Sequence, residues 1–191
     1  LNREIDNDSI EGGISLAYGS DYSIYDKENT RELLNVKLAN NFRFKENKDL
    51  PTNNQLGQKT SNFFTETIFN PYEFFNIKYN SSIKNNLSDI EYENLITEFK
   101  INNFVTTFNY IEETGQIGST NVIENTTTYN FDEKNFLSFR TRKNREINLT
   151  EYYDLIYEYK KDCLIAGFKY NKSYYSDRDL EPSEDFMLSI T

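Results

Sequence analysis

Residues 151–175, EYYDLIYEYKKDCLIAGFKYNKSYY, repeat with a period of two, and that period leaves few folds open. After Cys163, the residues Leu164, Ala166, Phe168 and Tyr170 fall on one face, and Ile165, Gly167, Lys169, Asn171 and Ser173 on the other. Strand side chains alternate between the two sides of a sheet, so one face is apolar and the other mostly polar. The preceding run sets Tyr153, Leu155, Tyr157 and Tyr159 against Asp154, Ile156, Glu158 and Lys160, with Ile156 the exception. The spacing predicts two long strands joined by a tight turn at Lys160-Lys161-Asp162. Long alternating strands with aromatics at their ends are the pattern of a membrane-spanning β-hairpin.

The same period runs through the rest of the chain. Strands are predicted over 10–25, 32–46, 62–69, 74–84, 90–100, 103–113, 120–131, 136–145 and 185–191, besides the hairpin. In 32–46, Leu34, Val36, Leu38, Phe42 and Phe44 oppose Asn35, Lys37, Asn41, Arg43 and Lys45. Gly12-Gly13 and Gly19 are expected at bends or bulges, and Asn70-Pro71-Tyr72-Glu73 as a type I turn. The expected fold class is all-β, an antiparallel up-and-down meander of about eleven strands forming part of a transmembrane β-barrel. Connections at 26–31, 70–73, 101–102, 132–135 and 160–162 are short, and those at 47–61, 114–119, 146–150 and 176–184 are longer on average, although 85–89 is not. Outer-membrane meanders have this rhythm.

Composition bounds the function. The chain has 191 residues and a formal charge of −10, so broad nucleic-acid binding, which needs clustered Lys and Arg, is excluded. Mean hydropathy is −0.77, and no run approaches the roughly 18 apolar residues of a membrane helix. A barrel remains open, because alternating strands average to low hydropathy. There is no His, which removes Ser-His triads and His-based metal sites. No glycine-rich phosphate loop occurs, and no spacing selects a catalytic carboxylate pair. The reading is therefore not an enzyme, with no cofactor and no metal. The acidic segment 177–185 has oxygen ligands for Ca²⁺, yet lacks the spacing and central Gly of an EF-hand, and a solvated loop is the simpler account.

A soluble sheet with one wet face alternates in the same way. Two features favour the barrel. Arg43, Lys78, Arg140 and Lys169 lie deep inside strands on the polar face, as a hydrated lumen requires. Leu34, Phe42, Leu164, Ala166 and Phe168 lie on the apolar face, which is expected to meet lipid, and aromatics stand near strand ends at girdle positions.

The C-terminal third resembles the end of the LptD family of LPS-assembly outer-membrane proteins. The residues that carry this are Tyr157 and Tyr159, Asp162-Cys163 at the turn, Gly167, and Tyr175-Ser176-Asp177-Arg178-Asp179-Leu180-Glu181-Pro182-Ser183. The start, from Arg3 through Glu11-Gly12-Gly13 to Tyr18-Gly19, is similar more weakly, and the middle matches in rhythm. The resemblance implies that 1–191 is the C-terminal portion of an outer-membrane barrel, a fragment without its N-terminal jelly-roll and first strands. It implies a translocon that passes lipopolysaccharide through the barrel and a lateral seam into the outer leaflet, with 185–191 as one lip. The partners implied are lipopolysaccharide, outer-membrane lipid, an LptE-like lipoprotein plug and a periplasmic LPS-bridge protein reached through the missing domain. The implied location is the outer membrane of a Gram-negative cell. Cys163 sits at the turn where the family ties its C-terminal region to N-terminal cysteine by disulfide. Leu164 stands next to it where some members have a second cysteine, which leaves one bond, with a partner outside this chain. A small buried thiol is the plain alternative. Tyr175, Asp177, Arg178, Asp179 and Pro182 would shape the last outer loop beside the seam. A general porin-like channel without the covalent tie, and a soluble β-sandwich binding module, are the competing functions.

Overall fold

The computed structural model describes residues 13–28, 30–48, 50, 55–115, 118–161, 163–174 and 182–190. The strands are β1 (Ser15–Tyr25), β2 (Glu32–Arg43), β3 (Phe63–Tyr72), β4 (Phe75–Ile83), β5 (Ile90–Ile101), β6 (Phe104–Gly115), β7 (Gly118–Asn130), β8 (Asn135–Asn144), β9 (Leu149–Lys161), β10 (Leu164–Ser173) and β11 (Ser183–Ile190). They form one 11-stranded sheet in chain order, an antiparallel meander as expected. Among the described residues β1 and β11 have one strand neighbour each, and no pairing joins them. Among the described residues no helix is long and apolar enough to cross a membrane.

Contacts group the chain into two compact units: Leu1–Pro71 with Ile77–Asn94 and Glu112–Ser119, and Tyr72–Asn76 with Leu95–Ile111 and Thr120–Thr191.

Several boundaries differ from the sequence reading. β2 stops at Arg43, because the chain folds back there. The Arg43 amide donates to the Lys59 carbonyl at 2.8 Å, Asn47 to Gly57 at 2.8 Å, and Ser61 to Asn41 at 2.9 Å. The expected polar loop is thus a packed one, and it buries Leu50 and Leu56. Pro71 lies inside β3 rather than in a turn, and the chain reverses at Glu73-Phe74. The β2–β3 register ends at Leu34↔Phe69, so Pro71 sits past it, where a missing N–H costs no ladder bond on that side. Asn102 takes φ 49° at the β5–β6 turn, a left-handed conformation that Asn tolerates in two-residue hairpins. Gly19 is not a bulge. It pairs with Ala39 in unbroken register, and the β1–β2 irregularity lies at Ile24/Tyr25. The long-and-short rhythm holds at 44–62, and the expected loop 176–184 lies mostly outside the described residues. The rhythm fails at 116–117 and 145–148, where the flanking strands run further than expected.

Burial is inverted relative to a water-soluble domain. Among the described residues the buried apolar side chains are Leu50, Leu56 and Val122. The buried polar ones include Asn35, Asn40, Asn41, Arg43, Ser61, Asn62, Ser81, Ser82, Asn94, Ser138 and Asp154. Large apolar side chains of β1, β2, β10 and β11 are exposed instead.

Candidate functional site

In the first unit, register sorts the side chains. Leu16↔Phe42, Ser20↔Leu38, Tyr22↔Val36 and Ile24↔Leu34 place these residues on one face of β1 and β2. Ser15↔Arg43, Asp21↔Lys37 and Ser23↔Asn35 place the polar residues on the other. β3 continues both faces, with Phe69 opposite Leu34 and Glu66 opposite Lys37, although Phe64 and Ile68 join the polar side. Glu66 takes an ion pair from each neighbouring strand, Lys37 Nζ at 3.0 Å and Lys78 Nζ at 3.0 Å. Asn35 Nδ2 donates to Asp21 Oδ1 at 2.7 Å and Ser23 Oγ at 2.9 Å. One carboxylate between two ammonium groups, with amides and hydroxyls beside it, makes a polar, hydrogen-bonded surface.

The second unit repeats the scheme on a larger scale. Tyr157 pairs with Leu137 on one side and Phe168 on the other, and Phe168 pairs with Leu188, so one apolar row crosses β8 to β11. On the opposite face Arg140 is opposite Asp154, and Asp154 is opposite Asn171. Arg140 Nη2 and Asn171 Nδ2 donate to the two oxygens of the Asp154 carboxylate, which is buried. A parallel row joins Glu124 to Arg142 Nη1 at 3.0 Å and Arg142 Nε to Glu151 at 2.7 Å.

Aromatic side chains mark the strand ends. At the short-turn end of the second unit, Tyr72 stacks on Phe74 and Phe74 meets Phe99 edge-on, while Tyr129 meets Phe131. At its loop end, Tyr153 meets Tyr174, and the Arg145 guanidinium sits over Tyr110. In the first unit Phe42 meets Phe44 at the loop end. The β7–β8 turn is closed by Asp132, whose Oδ1 accepts from the amides of Lys134 at 2.7 Å and Asn135 at 2.8 Å. The Lys134 amide, with help from the Asn135 side chain, holds the Asp132 carboxyl below the usual carboxylate range.

The residues singled out in the sequence fall as follows. Leu34 and Phe42 share one face of β2. Leu164, Ala166 and Phe168 share one face of β10. Arg43 is wholly buried, Lys78 is tied to Glu66, and Arg140 to Asp154. Lys169 lies on the Asn171 side of β10, between Ile156 and Met187. Cys163 is exposed and free within this chain, so it is not a buried thiol. Pro182 is exposed just before β11. Tyr175, Asp177, Arg178 and Asp179 lie outside the described residues. The sequence reading missed the acceptors Glu66, Asp154, Glu124 and Glu151. Opposite charges at matching parity in adjacent strands were the available signal.

Residues 1–138 match the model of the family described as LptD: LPS transport system D. A search of curated proteins returned no match. The matched region is the part whose likeness was spread thinly along alternating strands, and the Tyr157 to Ser183 motif lies wholly beyond it.

Proposed function

Because the chain belongs to the LptD family of LPS transport system components, we propose that it forms the later strands of an outer-membrane barrel that delivers lipopolysaccharide to the outer leaflet. The family places the work in LPS transport rather than in catalysis. The observation that carries the finer reading is the inverted burial, with polar side chains covered and linked while Leu16, Leu38, Leu188 and Ile190 stand exposed. In water such a surface is costly, at about 25 cal/mol for each Å² of apolar area left wet. In a bilayer it is the favourable side.

The polar rows through Glu66 and Asp154 would line a wet passage for the sugar head group, with Lys78, Arg140 and Lys169 facing it, while Arg43, expected there, is covered by the chain that folds back after β2. Leu34, Phe42, Leu164, Ala166 and Phe168 would face acyl chains. β11 would be one lip of a lateral seam, and Tyr175, Asp177, Arg178, Asp179 and Pro182 would shape the loop beside it. An LptE-like plug would occupy the lumen, and a periplasmic bridge protein would deliver the lipid to a domain outside these residues. The exposed Cys163 would form a disulfide with a cysteine outside this chain, which suits an oxidising compartment.

The test is photocrosslinking in the full-length protein under transport conditions. A photoreactive residue in place of Arg140 or Lys169 should capture lipopolysaccharide, and one in place of Phe168 should capture bulk bilayer lipid. Labelling of lipopolysaccharide from neither polar position would remove the transport reading.

A further inference from the structure

On the apolar face of the second unit, two cations stand apart from the ion pairs above. Lys143 is opposite Ile123, so it shares a face with Leu137 and Phe139. Arg145 follows β8, and its guanidinium carbon lies 5.5 Å from the centre of the Tyr110 ring. Thr106 bonds to Thr127 on this face at 2.8 Å, and Tyr110 shares the parity of Thr106 along β6. Both cations are exposed, and among the described residues no ion pair or side-chain hydrogen bond engages either. The contrast is sharp. Arg140 and Arg142 each hold a carboxylate, and Lys172, which also approaches a tyrosine ring, is paired with Glu184 at 3.2 Å. Of the acids that flank β8 at this end, Glu151 is held by Arg142 and Glu146 has an interaction of its own.

The surroundings tell what these cations face. Phe108, Ile123 and Ile147 are exposed around them. Tyr110 lies in the loop-side half of β6, and the Tyr153–Tyr174 contact marks the loop end of β9 and β10. Ring-backed cations at an aromatic girdle lie at head-group depth, where their charge meets phosphate. We propose that Lys143, beside Ile123, and Arg145, set over Tyr110, form an outward-facing site for the phosphate of an anionic lipid in the surrounding leaflet. Phe108 and Ile123 would rest against its acyl chain. The site rests on the membrane reading above, and it lies on the face opposite the Glu124–Arg142–Glu151 row.

The experiment uses the full-length protein in nanodiscs of phosphatidylcholine doped with phosphatidylglycerol, with the retained lipids counted by native mass spectrometry. The wild type should retain phosphatidylglycerol preferentially. Lys143→Gln with Arg145→Gln should lower that preference by about fivefold for each charge removed. Lys143→Arg with Arg145→Lys should keep it. An unchanged preference in the Gln pair overturns the site while leaving the membrane reading intact. So does an equal loss in the charge-keeping pair, which would report folding rather than charge, or displacement of the lipid by inorganic phosphate alone. A protein that does not enter nanodiscs at all overturns both.

Discussion

Asp154 gathers more interactions than any other side chain of its row. It is 4% exposed and takes bonds from Arg140 and Asn171 across two strand pairs. The partners differ in exposure, with the Arg140 side chain at 45% and that of Asp154 at 6%. Deleting the carboxylate strands two donors, one of them charged. Asp154→Ala should therefore cost about 1–3 kcal/mol. Arg140→Ala should cost less, because Asp154 keeps Asn171 and the guanidinium was half in water already. Unfolding of the full-length protein in micelles, followed by denaturant titration, ranks the two. Asp132 offers a pH test. Its folded pKa is depressed below 3.8, so its contribution is present above that value and lost as pH falls through the folded one. Amide exchange at Lys134 and Asn135 should accelerate on acidification below the ordinary carboxylate range, and Asp132→Ala should abolish that response. Among single residues, the polar parity of Lys78 and Arg140 was legible in the sequence. Their partners were not, since an ion pair depends on which residues register places opposite, and parity alone does not fix register.

Strands were the most legible elements, because one bit per residue repeats for ten or more positions and errors average out. Connections were less so. Pro71 reads as a turn residue by local chemistry, and only the end of the β2–β3 register explains its place in a strand. The loop after Arg43 reads as polar and open, yet backbone bonds between 41–47 and 57–61 close it over Leu50 and Leu56. Nonlocal closure of that kind leaves no periodic trace. Glycine positions divide in the same way. A Cβ on Gly19 would lie 2.3 Å from the Leu38 carbonyl oxygen, a backbone atom with nowhere to go. One on Gly167 would meet the Ser189 hydroxyl at 2.8 Å, a side-chain tip that rotates away. Gly19→Ala should destabilise the β1–β2 pairing by about 1–3 kcal/mol, as overpacking does, and Gly167→Ala should be milder. Hydrogen exchange along β2 and β11 reads the two effects separately. Comparable loosening at both strands would show that the close approach at Gly19 is not what holds its register.

At the scale of the molecule, the sheet order was legible and the closure was not. Sequential strands with short turns leave a meander as the simplest pairing, but neither edge of an open sheet says what pairs with it. β11 is exposed along its whole length, with Leu188 at 73% and Ile190 at 79%. Bare apolar edges of this kind pair with another strand or aggregate. The family likeness was similarly divided. It was read from the compact motif near Cys163, while the match extends over the strands that carry no compact motif. Strand register divides the sheet into an apolar and a polar side, and adjacent residues at the middle of β10 test that division directly. Phe168 sits between Tyr157 and Leu188, with its ring 4.4 Å from that of Phe186. Lys169 projects the other way, between Ile156 and Met187. If the Phe168 side meets hydrocarbon, Phe168→Arg places a charge near the bilayer midplane and should cost about 2–4 kcal/mol. Lys169→Ala, on a hydrated face, should stay within about 0.5 kcal/mol. Folding free energies of full-length variants in phosphatidylcholine vesicles measure the gap. A soluble sheet would show the large cost in detergent-free buffer as well, through lost packing on Phe186. A bilayer-facing one shows it where lipid replaces water, and equal costs for the two substitutions would mean the faces are assigned the wrong way or not distinguished at all.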